Sequence, residues 1–361
     1  MTKLFRLLLL QIIFCQLFFS GTANAQAQHE LLLFLSTEGI YHYQKTGKDL
    51  DDLDYVLAAD ILYSFSYDRF RLLTEFNASN KEHELERFHL GWQIGEESNL
   101  LIGRFHVPSN FWISEYHHGQ YLQTSISRPG LGVFEDFGAI VASHSTGGLF
   151  ETGHIFDDLS GFKGAFSIGT APLLGNDGLL EPLDLLDPDN GHHLAYHFRF
   201  SYLPDYFKDN KIGVVASYAD INTENQVVLR NSLVDDVEQF KIGAFFNWQY
   251  ENWRFLGTVS QIFNRVKRRA GILDGSFTNG YVQTEYEINT HWTVFGRLEE
   301  SFSEKKSAYL ELLPKFVTSR YMAGVRFDFL EKHAITLEVS RVENLAHDFA
   351  QVRLQWSTVL P

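Results

Sequence analysis

Histidine offers the widest chemistry in this chain. Seven of its 15 imidazoles fall between positions 117 and 197: His117, His118, His144, His154, His192, His193 and His197. Neutral imidazole is the commonest metal ligand. Adjacent histidines on a strand point to opposite faces, however, and neither H-x-H nor H-E-x-x-H spacing occurs, so no metal site is expected. Ser143-His144-Ser145 has the residue types of an activated nucleophile. On a strand the two serines and the histidine alternate in face, so His144 cannot take a proton from either neighbour. No catalytic residue is expected. Asp187-Pro188-Asp189-Asn190-Gly191 contains part of a calcium loop without the remaining ligands, and reads as a turn. The only cysteine, Cys15, lies in an N-terminal apolar run. No cofactor is implied.

The second chemistry is that of guanidinium. Apolar and polar residues alternate over long stretches, and arginines recur on the polar side. Phe88, Leu90, Trp92 and Ile94 alternate with Arg87, His89, Gly91 and Gln93. Tyr321, Ala323, Val325 and Phe327 alternate with Arg320, Met322, Gly324 and Arg326. The polar faces carry Arg71, Arg87, Arg104, Arg199, Lys241, Arg254, Arg297, Arg326 and Arg353, with His89, His106 and His197. Acids on those faces are fewer: Glu75, Glu285, Glu287, Glu299, Asp328 and Glu338. Arginine grips carboxylate or phosphate in a two-pronged fork, and a row of arginines in a wet channel lowers the barrier to anions. The same arginines could instead pair with the acids and fill the interior.

Period-two alternation is the signature of strands with two different faces. The spacing predicts strands over 30–43, 54–66, 69–78, 83–95, 99–107, 137–150, 161–170, 191–203, 210–222, 236–250, 252–266, 278–289, 291–303, 317–329, 333–343 and 348–357. An apolar-out, polar-in order suits an antiparallel transmembrane β-barrel of about sixteen strands, an even number as bacterial barrels prefer. Closure pairs every backbone group in lipid. One set of connections is mostly tiny, among them Tyr67-Asp68, Glu251 and Thr290. The other set is longer: 44–53, 108–136, 171–190, 223–235, 267–277 and 304–316. Short periplasmic turns and long outer loops show this asymmetry. Trp92, Trp248, Trp253, Trp292 and Trp356 all sit at the short-turn end, as an interfacial girdle would.

Composition agrees. Of 361 residues, 15% are aromatic, yet the mean hydropathy is slightly polar. A helical membrane protein would be more apolar, and a disordered chain less aromatic. A net charge of −15 excludes a general nucleic-acid binder. Residues 1–25 read as a secretory signal: Lys3 and Arg6, an apolar run from Leu7 to Phe19, then Ala23-Asn24-Ala25. Its removal leaves 28 basic and 45 acidic residues, a charge of −17, and no cysteine. The acids gather in loops, at Asp49, Asp51, Asp52 and Asp54, and again at Asp177, Glu181, Asp184, Asp187 and Asp189. Residues 26–361 form one barrel domain.

Gly103-Arg104-Phe105-His106-Val107-Pro108 resembles the G-R-F-x-x-P strand end of Gram-negative outer-membrane porins, the phosphate-selective group included. Tyr116 to Pro129 is similar to the matching stretch of porin-like proteins. The resemblance implies an outer-membrane channel for passive diffusion of small hydrophilic, including anionic, solutes. It implies a long third loop (108–136) folded into the pore as a constriction, and homotrimers. Partners would be lipid, lipopolysaccharide and the barrel assembly machinery. Phe111, Trp112 and Tyr116 would pack the loop against the wall, with Glu115, His117, His118, Arg128, Glu135 and Asp136 supplying its charge. Two departures stand out. The loop lacks the dense acidic stretch of general porins, and Trp356 is followed by Ser-Thr-Val-Leu-Pro where porins usually end on an aromatic residue. A closed structural or adhesive barrel, or an outer-membrane hydrolase, are the alternatives.

Overall fold

The computed structural model describes residues 27–361 except 45–51, 82, 117–118, 136–137, 187, 189–190 and 225–226. The signal segment, Asp49, Asp51, His117, His118, Asp136, Asp187 and Asp189 lie outside the described residues.

Sixteen antiparallel strands form one closed barrel. They are β1 (Gln28–Gln44), β2 (Asp52–Tyr67), β3 (Phe70–Ser79), β4 (His83–Gln93), β5 (Asn99–His106), β6 (His144–Ile155), β7 (Gly161–Thr170) and β8 (Leu194–Leu203). There follow β9 (Lys211–Asn222), β10 (Ser232–Tyr250), β11 (Trp253–Arg268), β12 (Gly271–Glu287), β13 (Trp292–Phe302), β14 (Val317–Phe329), β15 (His333–Asn344) and β16 (Asp348–Leu360). Each strand pairs with its neighbours in sequence, and β1 closes on β16 in a ladder from Leu33↔Leu360 to Gln44↔Phe349. The residues after Trp356 therefore belong to the closing strand, longer at this end than the expected 348–357.

Alternation decides which way side chains point. On β10, Phe240, Ile242, Trp248 and Tyr250 are exposed on the outside, while Gln239, Lys241 and Asn247 between them are buried inside. This inversion of a soluble core is what lipid outside and polar groups inside require. Trp92, Trp248, Trp253 and Trp292 are exposed along the rim with the short turns. There Trp253 packs on Tyr286 at 4.6 Å and Trp292 on Phe327 at 4.6 Å between ring centres.

Three expected boundaries are corrected. The sixth strand begins at His144, not at 137, because the chain before it turns back so that Ser143 and His144 bond to Glu135. The tenth begins at Ser232. The twelfth begins at Gly271, so the expected connection 267–277 is the top of a hairpin turning at Arg269-Ala270. Gly271 and Gly275 leave gaps in the alternation, which hides the strand from a period-two reading.

The interior is not empty. The described residues of 107–143, between β5 and β6, enter the barrel together with those of 171–193 and with 303–316. Leu131, Ile140, Leu174, Leu180, Tyr309, Leu313 and Phe316 from these segments form an apolar core against Ala195, Ile221, Val237, Ile262, Val266 and Phe277 of the wall.

Candidate functional site

Segment 107–143 is held by one short helix, α1 (Phe111–Tyr116). The Asn110 side chain accepts the Ile113 N–H at 3.5 Å, and the Asn110 carbonyl accepts the Ser114 N–H at 3.0 Å, which starts the helix after Pro108. Phe111 stacks on Phe245 at 4.5 Å, and Trp112 meets Tyr281 edge-on at 5.8 Å. Tyr116 accepts a bond from Arg254.

Most of the basic wall residues hold this segment. Buried Lys241 donates to the Ser109 carbonyl at 2.9 Å. Buried Arg297 donates to the Ser127 carbonyl at 3.0 Å and lies 5.5 Å from the Trp112 ring centre. Arg326 donates to the carbonyls of Tyr121 (2.7 Å) and Gln123 (2.6 Å) and pairs with Asp328. Arg320, which sequence reasoning did not single out, donates to the Arg128 carbonyl. Among the wall acids, Glu338 accepts the N–H groups of Ile126 and Ser127 at 3.0 and 3.1 Å, and Glu299 that of Gly130. Arg87 and Arg353 pair with acids of the wall, as Arg254 does besides its bond to Tyr116. Arg87 meets Glu75 at 2.5 Å, Arg353 meets Glu38 at 3.0 Å, and Arg254 lies 3.9 Å from Glu285.

Of the described residues expected to charge the loop, Glu115 meets Arg199 at 3.3 Å and Lys211 at 2.5 Å. Burial pushes the Glu115 carboxyl up, but these two cations outweigh it and hold it below the usual carboxylate range. Arg128 lies over the Phe134 ring at 3.9 Å. Glu135 is fully buried. Burial opposes its charge, but His144 and the N–H groups of Ser143 and His144 pull the carboxyl below its usual range.

One side of the interior stays open. A cavity of about 960 Å³ runs along β1–β6 from the short-turn end toward Pro108, lined by Arg71, Arg87, Arg199, His89 and His106 and also by Glu30, Asp68 and Glu151. Arg71 is exposed within it and donates to Gln93 at 3.4 Å.

At its inner end Arg104, His106, Glu135 and His144, each singled out in the sequence, come together with Glu84 and Glu86, which sequence reasoning missed. His106 and His144 are register partners on β5 and β6. Glu86 shares its even numbering with Phe88, Leu90 and Trp92, so strict alternation puts it outside. A β-bulge intervenes: Glu75 pairs with Arg87 and Phe76 with Leu85, which leaves Glu86 as the extra residue. The bulge keeps a carboxylate out of the apolar face and re-aims it inward. Glu86 is 6% exposed, and its Oε2 lies 2.8 Å from His144 Nε2. Arg104 donates to Glu84, and to the Glu86 carbonyl at 3.2 Å.

No known protein family and no curated protein matches this sequence. Solved structures do. An anion-selective porin from Comamonas acidovorans superposes with a TM-score of 0.62 at 10% identity, over 93% of this chain and 100% of that one. OmpF of Salmonella typhi in complex with daunomycin gives 0.59 at 11%, over 92% and 97%. The outer membrane channel DcaP of Acinetobacter baumannii gives 0.56 at 10%, over 94% and 99%. At such identities the likeness is one of fold. The chain has the sixteen-stranded barrel of Gram-negative outer-membrane porins.

Proposed function

We propose that this protein is an outer-membrane channel through which small hydrophilic solutes, anions above all, diffuse passively, with no chemistry of its own. The observation that carries the reading is the cavity inside a closed barrel, whose lining sets Arg71, Arg87 and Arg199 with His89 and His106 beside Glu30, Asp68 and Glu151, Arg71 being exposed to the passage. Hydrated anions passing beside exposed guanidinium groups in a water-filled passage are attracted, and cations repelled. The apolar girdle and the exposed tryptophans suit a bilayer. Residues 1–25 would direct export and be removed. Homotrimers, lipopolysaccharide contact and delivery by the barrel assembly machinery accord with the fold.

Planar-bilayer recording of the refolded protein tests this. Reversal potentials in a salt gradient should show anion preference, and Arg71→Glu with Arg199→Glu should reverse it. Cation preference in the unsubstituted protein would refute the anion reading. The apolar core of the three inner segments favours a second reading, a closed barrel of structural or adhesive role. Silence of the folded protein at all voltages would select it.

A further inference from the structure

We propose that Glu86, His106 and His144 form a binding site for a divalent transition-metal ion of the imidazole-seeking kind, Zn²⁺ above all. The three residues come from three adjacent strands, and their ligand atoms lie within 4.8 Å of one another, all buried. Zinc bonds of ~2.0–2.1 Å set tetrahedral donors ~3.3 Å apart. The 2.8 Å between Glu86 Oε2 and His144 Nε2 must therefore open by about half an ångström, while any pair near the 4.8 Å limit must close through side-chain rotation. Two nitrogens and one carboxylate select zinc, copper or nickel over calcium and magnesium, which take oxygen.

The surroundings are those of a ligand set already oriented. His144 Nδ1 lies 3.1 Å from Glu135 Oε2, while Glu135 Oε1 accepts the N–H groups of Ser143 (2.5 Å) and His144 (2.9 Å). Such a carboxylate fixes the imidazole tautomer and turns Nε2 to the metal. Phe134 stacks on the His144 ring at 5.5 Å and shields that side, while His106 borders the arginine-lined cavity, which gives the ion a route in.

Charge points the same way. Three carboxylates, Glu84, Glu86 and Glu135, surround one guanidinium, Arg104, and Glu84 is already its partner. A buried site with that imbalance takes up protons or a cation. A divalent ion supplies both missing charges at once, where two protons would be needed. The competing arrangement is a protonated His144 bridging Glu86 and Glu135 as a purely structural ion pair.

Calorimetry with zinc chloride on the chelator-stripped, refolded barrel distinguishes them, folding being checked by heat-modifiable migration in gels. The site predicts one Zn²⁺ per chain. His106→Gln should weaken binding by ~100-fold or more and Glu135→Gln by ~10–100-fold, the usual reach of a second-layer carboxylate. His154→Gln, remote on the barrel wall, should bind like the unsubstituted protein. Folded protein that takes up no zinc, or folded His106→Gln that binds as tightly, overturns the site. Should His106→Gln fail to fold, the Cu²⁺ spin-resonance spectrum of the unsubstituted barrel decides. Coupling to two nitrogens supports the site, and coupling to one or none overturns it.

Discussion

At the scale of single residues, two positions carry consequences that can be weighed. Gly103 has φ +136°, and a methyl there would stand 2.1 Å from the Phe88 carbonyl oxygen and 2.8 Å from His89 Cα. Leu100 and Ile102 are exposed, whereas Arg104 and His106, further along the same parity, are buried. The glycine sits where that change occurs. Gly103→Ala adds a backbone clash to a disfavoured dihedral, and should cost about 2–4 kcal/mol. A urea refolding midpoint equal to that of the unsubstituted barrel would refute this. Glu115 gives a pH dependence. Its folded carboxyl lies below the unfolded value of about 4.3, so its contribution is complete above that pH and is lost as pH falls through the folded value. Acid should therefore destabilise the unsubstituted protein more than Glu115→Gln, in urea titrations at neutral pH and below the carboxylate range. At neutral pH the substitution itself should cost about 1–3 kcal/mol, for a pair still partly open to water. Glu115 was legible as a polar loop residue. Its partners, Arg199 and Lys211, were not, because 84 and 96 positions separate them from it.

At the scale of elements, strands were readable wherever large apolar residues keep strict parity, as along β4, β10 and β14. They were obscured where glycine replaces a bulky outward residue, as at the start of β12, and where the register slips. The bulge beside Glu86 is the instructive case. Parity puts Glu86 outside, burial of a lone carboxylate in an apolar face is too costly, and one extra residue resolves the conflict. Nothing local in the sequence announces such a bulge, so the site it creates was invisible before the fold. Helix α1 shows the opposite. Its aromatic residues were readable as anchors, and Trp112 is buried against Tyr116, Leu256 and Tyr281. Trp112→Ala should remove about 3–5 kcal/mol from this contact. Because strand pairing does not depend on it, the loss should appear as local release of the segment. Chymotrypsin should then cut after Tyr121 in a barrel that still migrates as folded. Equal protection of that bond in the two proteins would argue against α1 as the anchor.

At the scale of the whole molecule, two systems of cohesion coexist. The wall is a closed ladder that needs no core, since its backbone bonds are complete and its outer face is apolar. The filling is a small hydrophobic core of ordinary kind, with Leu174, Tyr309, Leu313 and Phe316 buried inside a barrel whose lining is otherwise polar. That core lies against β8–β12, while the cavity lies along β1–β6. The inner segments thus narrow the lumen to one side and leave the arginines there in contact with solvent. If the two systems are independent, Leu174→Asp combined with Leu313→Asp should dissolve the filling, because two carboxylates cannot remain in an apolar core. The wall should persist, seen as an unchanged circular-dichroism strand signal and heat-modifiable migration. Single-channel conductance should rise, and anion preference should weaken as the passage widens away from Arg71 and Arg199. Conductance equal to that of the unsubstituted protein, in a barrel shown to be folded, would mean that the apolar filling does not limit the passage.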